Sequence, residues 1–199
     1  NGGQVMCVYA DLTQSHQVEL MFEKIYDRFS FVNILINNAG IYPNSLIIEM
    51  QENEWDEVIT TNMKSVFLCT KNFANKLINK NMGGAIVNID SIEALDSTRG
   101  HSHYDATKAG LVMFTRVSAL ELGQYDIRVN SVGPGLVNSP NLKTWPEGKK
   151  RWMDKVPLKR LCERNDIANA CMFFASTAAS FISGAHLIVD GGMLTNERY

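Results

Sequence analysis

The chain has 199 residues, 45% of them hydrophobic and 20% charged, which fits a single globular domain over residues 1–199. A formal net charge of −2 offers no basic surface for nucleic acid or an anionic membrane. No apolar run approaches the roughly 20 residues that span a bilayer, so neither a nucleic-acid partner nor a membrane is expected.

Residues 4–10 form a short β-favouring run, and Thr13 is placed to cap a helix whose apolar residues Val18, Phe22, Ile25 and Phe29 step by four, three and four. Residues 31–36 predict a buried strand that ends at Asn37-Asn38-Ala39-Gly40. One long helix is expected over residues 52–79, carrying Trp55, Ile59, Phe67, Phe73 and Leu77 and broken by Gly83-Gly84. Residues 85–89 predict the next strand, residues 104–122 a helix ending at Gly123, and residues 127–132 a strand stopped by Gly133-Pro134-Gly135. Residues 138–156 read as irregular and polar, with Trp145 and Trp152. A helix over residues 166–175 and a strand over residues 186–189 complete the chain before Asp190-Gly191-Gly192. There is no internal repeat and no second domain. Strands alternating with helices predict an α/β fold whose parallel sheet is covered on both faces.

Cys7, Cys69, Cys162 and Cys171 form no CxxC pair, and three of them sit in apolar stretches. Buried free thiols are expected, with no metal site and no disulfide. That chemistry, with no signal-peptide pattern in sight, points to a reducing, cytoplasmic location.

In an open parallel sheet, ligands bind beyond the carboxyl ends of the strands. Four polar or glycine-rich stretches fall there: Asp11, residues 37–40, Ser91 and residues 133–139. Tyr104 and Lys108 stand four apart on a helix and share a face. A phenol has an ordinary pKa near 10. A neighbouring ammonium lowers it, which makes the pair a tuned general acid/base. A solvated helix face is the competing reading of the pair alone. Ser91, thirteen residues earlier at a strand exit, adds a hydroxyl that can hold a substrate oxygen beside the phenol, with Gly100 permitting the intervening turn. Asn62, a mediocre helix residue, reads locally as either functional or a surface side chain.

Taken in order, Asp11-Leu12, Asn37-Asn38-Ala39-Gly40, Thr61-Asn62-Met63-Lys64-Ser65, Ser91, Tyr104-Asp105-Ala106-Thr107-Lys108, Asn130 to Pro134-Gly135, Phe181-Ile182-Ser183-Gly184 and Asp190-Gly191-Gly192 resemble the short-chain dehydrogenase/reductase family over essentially the whole chain. The resemblance implies a Rossmann-type, doubly wound parallel sheet in three α/β/α layers. It implies an oxidoreductase that moves a hydride between NAD or NADP and a small-molecule alcohol or ketone. It further implies Tyr104 as acid/base and Lys108 lowering its pKa and holding the nicotinamide ribose. Ser91 would orient the substrate oxygen, and Asn62 would kink its helix and hold a water of a proton relay. Asp11 and Leu12 would meet the adenine, and Asn38, Ala39 and Gly40 the adenosine ribose. Pro134, Gly135, Val137 and Ser139 would surround the nicotinamide. Ser139 stands where the family often has Thr, Asp90 where it often has Ser, and Asn33 where it often has Asp; neither Asp90 nor Asn33 is assigned a role.

The family's glycine-rich pyrophosphate turn does not occur in this sequence, and the chain begins with Asn1. The first two strands of the family's 3-2-1-4-5-6-7 sheet are therefore expected to be lacking here, a loss of roughly 50 residues. Their absence would leave a gap of roughly 14 Å at about 4.8 Å per strand spacing. The alternative function is accordingly a truncated, non-catalytic relative unable to bind cofactor.

Residues 138–156 would be a flap over substrate, with the basic run Lys149-Lys150-Arg151 open to either an anionic substrate or solvent. His101 and His103, next to Tyr104, either face substrate or lie exposed in a loop. Leu111, Phe114 and Val117 form one apolar stripe for the core, an interface or both, the family implying a homotetramer or homodimer. Bacterial carbonyl reductases and sugar or acyl-carrier ketoreductases are the nearest resemblance within the family.

Overall fold

The computed structural model describes residues 3–139 and 146–195. Four parallel strands, β1 (Ile34–Asn37), β2 (Gly84–Ile89), β3 (Ile127–Pro134) and β4 (His186–Val189), lie side by side in chain order. That order matches the last four strands of the expected sheet. The helices are α1 (Ser15–Arg28), α2 (Glu52–Ile59), α3 (Ser65–Asn79), α4 (Ser102–Leu122), α5 (Pro146–Lys155) and α6 (Arg164–Ala175).

Successive strand residues point to opposite faces, so β2 feeds two cores at once. Ile86, with Ile127 and Val129 of β3, packs against Val18 and Phe22 of α1 and Leu68, Phe73 and Leu77 of α3. Ala119 and Leu122 of α4 close that layer. Val87 and Ile89, with Val132, pack against Ala170, Cys171 and Phe174 of α6. The result is the expected three-layer α/β/α arrangement. Each fully buried large side chain such as Phe73 or Leu77 contributes about 2 kcal/mol of apolar burial.

Several local expectations are corrected. Residues 4–10 form no strand: Val5 and Tyr9 are 84% and 98% exposed, and no described segment pairs with the run. A β-favouring sequence becomes a strand only where a neighbour takes its backbone donors and acceptors. Thr13 does not cap α1. Its amide and hydroxyl both donate to the Asp11 carboxylate, at 2.9 and 2.7 Å, so the segment closes as a side-chain turn and the helix begins after Gln14. The helix expected over residues 52–79 is interrupted by a π-helical turn, Thr60–Lys64. Residues 138–156 are not wholly irregular, since α5 starts on Pro146, a residue preset for the first helical position. Trp145 and the side chains of Lys149 and Arg151 lie outside the described residues; Lys150 is exposed. All four cysteines are free, with Cys69 and Cys171 buried but Cys7 exposed. Among the described residues no helix is long and apolar enough to cross a membrane.

Parallel strands end on one side of the sheet, so the segments leaving β1, β2, β3 and β4 come together there. One device stiffens that rim and a second fixes the entry to β4. Asn37 of β1 donates to Asn88 Oδ1 of β2 at 2.8 Å, and Asn88 donates to Thr115 Oγ1 of α4 at 2.9 Å. Asn130 of β3 donates to the Ile182 carbonyl and accepts from the Ala185 amide, which fixes the approach to β4.

Candidate active site

A cleft of about 1470 Å³ opens at this rim, with Ser91, Tyr104 and Lys108 on its wall. Ser91 leaves β2 in extended backbone, and its Oγ accepts from the Glu93 amide at 3.1 Å, capping a short 3-10 turn, Ile92–Ala94. Gly100 turns the chain back with φ of +86°, where an Asn44 side chain leaves no room for a Cβ. This delivers Tyr104 into the first turns of α4 and its phenol to a hydrogen bond with the Ser91 hydroxyl. One turn further, Lys108 is 5% exposed; its ammonium donates to the Ile89 carbonyl at 2.9 Å and lies 5.4 Å from the centre of the Tyr104 ring.

Burial pushes the Tyr104 phenol up to about 12; the Ser91 hydrogen bond opposes this, and the carboxylates of Glu93, Asp105 and Asp90 reinforce it. Desolvation and three acidic neighbours set that direction. Burial likewise brings Lys108 down to about 8, with Asp90 holding it up.

Asn62 is 1% exposed and stands outside the cleft wall, directly behind it. Its side chain accepts from the Ile41 amide at 2.9 Å and donates to the Ile41 carbonyl at 2.9 Å and to Thr107 Oγ1 at 3.2 Å. The widened π turn lets Asn62 face inward and tie the β1 exit to α4. A Cβ on Gly40 would sit 3.2 Å from Asn62 Oδ1 and 3.7 Å from Lys108 Nζ, so a bare backbone is what fits between them.

The other expected residues divide into two groups. Asn38, Gly40, Pro134, Gly135, Val137 and Ser139 line the cleft with Tyr104 and Lys108. Asp11, Leu12 and Ala39 do not. Asp11 is exposed, its carboxyl held below the usual range by the Thr13 hydrogen bonds, and Leu12 packs on the α1–α3 core. Leu12 and Ala39 border a separate apolar hollow of about 340 Å³ beside β1, with Asn38 bordering both spaces. A buried ammonium, backbone openings at Gly40 and Gly135 and a cluster of hydroxyls fit the nicotinamide–ribose end of a dinucleotide. The adenine end has no comparable wall among the described residues.

The structure also gives partners to residues that the sequence left without an assigned role. Asp90 is 3% exposed and pairs through Oδ1 with His186 Nε2 of β4 at 3.0 Å. Only the fold brings those two residues together. Glu93 accepts from Thr98 Oγ1 at 2.6 Å and pairs with His101 Nδ1 at 2.9 Å, and both Glu93 and His101 line the cleft. Tyr42 meets Tyr104 edge to face with ring centres 6.3 Å apart. His103, by contrast, is fully buried, 3.7 Å from Glu54 of α2, and neither faces substrate nor lies in an exposed loop. In the stripe on α4, Leu111 is core and Val117 is exposed.

Comparison with known proteins agrees with this geometry. The family described as enoyl-(acyl carrier protein) reductase, of the short-chain dehydrogenase type, matches residues 1–194. The 3-oxoacyl-[acyl-carrier-protein] reductase FabG of Staphylococcus epidermidis is 36% identical over 193 residues, 96% of this chain and 79% of that protein. FabG of Chlamydia muridarum is likewise 36% identical, over 96% of this chain and 77% of its own length. A short-chain dehydrogenase/reductase from Mycobacterium marinum superimposes with a TM-score of 0.92 at 28% identity, covering 98% of this chain and 78% of that one. ElxO with NADP bound superimposes with a TM-score of 0.87 at 29% identity, covering 94% of this chain and 77% of its own. This chain belongs to the short-chain dehydrogenase/reductase family of oxidoreductases.

Proposed function

We propose that the chain is an NAD- or NADP-dependent oxidoreductase that interconverts a small-molecule alcohol and its ketone. The observation that carries this reading is the meeting of Ser91, Tyr104 and Lys108, from two elements, on one cleft wall at the carboxyl rim of the sheet. When bound, the nicotinamide supplies or accepts the hydride. Lys108, Gly40, Pro134, Gly135, Val137 and Ser139 would hold it, Lys108 toward the ribose hydroxyls. Ser91 donates a hydrogen bond to the substrate carbonyl. Tyr104 then gives its phenolic proton to the carbonyl oxygen as the carbonyl carbon gains hydride; in the reverse direction its phenolate takes the hydroxyl proton. Lys108 favours the phenolate through its charge, and Asn62 positions the Gly40–Ile41 segment beside Lys108 and supports the proton relay.

The similarity to FabG supports a ketoreductase. The chain acts as one domain over residues 1–199. The exposed Met113, Val117 and Leu120, at helical spacing on α4, suit a homodimer or homotetramer contact, and the free thiols suit the cytoplasm.

A specific observation favours a second reading, a non-catalytic relative: Asp11, Leu12 and Ala39 stand apart from the cleft. Titration with NADH and NADPH, followed by a panel of small ketones, separates the two. The enzyme reading expects saturable binding of one cofactor and its oxidation by at least one ketone. Absence of binding to both cofactors would support the non-catalytic reading.

A further inference from the structure

We infer that His101, held in place by Glu93, is a second substrate anchor that reads a hydroxyl on the carbon next to the reacting one, so that α-hydroxy ketones and their vicinal diols are the preferred substrate class. The inference rests on the alcohol–ketone reading above and adds the substrate class to it.

Its basis is a polar arrangement that the proton-transfer residues do not use. Glu93 stands two residues after Ser91, and its amide donates to the Ser91 hydroxyl, so the two side chains are set by one turn. Both Glu93 oxygens are already engaged, one by Thr98 Oγ1 at 2.6 Å and the other by His101 Nδ1 at 2.9 Å. The carboxylate is thus committed to the imidazole and is poorly placed to serve an incoming ammonium group. A carboxylate on Nδ1 fixes that nitrogen as the proton-bearing one. In the neutral ring Nε2 then carries the lone pair, and no hydrogen bond joins it to another of the described residues.

The imidazole lines the same cleft as Ser91 and Tyr104, and its ring centre is 5.6 Å from that of Tyr104, edge to face. One small substrate can therefore meet both rings. The other ring that meets Tyr104 edge to face is Tyr42, so His101 supplies the basic nitrogen of this ring cluster. With the substrate oxygen bonded at Ser91 and Tyr104, a hydroxyl on the adjacent carbon can donate to Nε2 across the same cleft. A plain ketone would make no hydrogen bond to Nε2, so the hydroxy ketone gains one interaction that the plain ketone lacks.

The test compares kcat/KM for 3-hydroxybutan-2-one and butan-2-one, with NADH and with NADPH, in the protein expressed from its complete reading frame. The wild type is expected to favour the hydroxy ketone by about tenfold or more. His101→Phe should bring the ratio close to one, and His101→Gln, which restores an acceptor, should recover part of it. Equal specificity constants in the wild type would overturn the inference and leave the oxidoreductase reading standing, as would a preference that survives in His101→Phe. Reduction of neither ketone by a protein that binds a reduced cofactor would also overturn it alone. Failure to bind either cofactor would overturn both.

Discussion

The two ends of the cleft rim hold their functional residues in different ways. At the β2–β3 end, each side chain is fixed by a different element of the fold: Lys108 of α4 by the β2 carbonyl of Ile89, Asp90 by His186 of β4, Ser91 by the turn that contains Glu93. At the β1 end, Asp11 is fixed by Thr13 two residues away, and Leu12 packs on the helices and not at the cleft. Contacts between elements hold Lys108 and Asp90 in the first region, whereas a local turn fixes Asp11 in the second. Reactive geometry here is a property of tertiary packing. Cofactor contacts that depend on local structure are the part least determined by the residues described.

Breaking the preorganised region should have the largest effects. Tyr104→Phe removes the phenolic proton donor from the cleft wall that carries Ser91 and should lower kcat for ketone reduction by about 10³-fold, within the range general acid catalysis supplies. NADPH affinity, followed by fluorescence titration, should stay within a few-fold. Lys108→Ala should cost about 10²-fold in kcat/KM. The wild-type reduction rate should also fall as pH rises through about 8, where the buried ammonium loses its proton. A flat rate from pH 7 to 9.5 would remove Lys108 from the account.

Asn62→Ala sharpens the comparison through stability. It strands both backbone groups of Ile41 and frees Thr107, and should cost about 3 kcal/mol in urea unfolding. The smallest effect belongs to Asp105, whose carboxyl is raised to about 6 by burial and by its hydrogen-bonded neighbour Glu93. The folded state holds this proton more tightly than the unfolded state. Its contribution is therefore complete below about pH 4 and lost as pH rises through about 6. Asp105→Asn escapes that loss. It should be about 1 kcal/mol more stable than wild type at pH 7.5, after allowing for solvent screening, with the difference vanishing in acid.

Part of this contrast is legible in the sequence. The spacing of Tyr104 and Lys108 places both on one helical face whatever surrounds the helix, and β2, β3 and β4 announce themselves as apolar runs closed by Gly, Pro or Asp. The interrupted helix is less visible, because the π turn at Asn62 is held by Ile41 and Thr107, which are 21 and 45 residues away. Residues 4–10 carry β propensity without forming a strand, because propensity carries no information about a partner. The direction of the Tyr104 shift also escapes sequence reading. It is set by burial and by Asp90, Glu93 and Asp105 acting together, whereas the four-residue spacing displays only the lysine. His103 shows the same limit: one residue from Tyr104, it turns toward α2 and is lost to the interior.

The central claim is that the phenol of Tyr104 protonates a carbonyl held at Ser91 while hydride arrives from a cofactor bound beside Lys108. Its most direct test uses NADPH or NADH deuterated at the transferring position of C4, mixed with a reducible ketone and either wild-type protein or Tyr104→Phe. The account predicts deuterium on the carbinol carbon of the wild-type product and near-complete loss of that transfer in the variant, with cofactor still bound. Label transferred at an undiminished rate by Tyr104→Phe would contradict it.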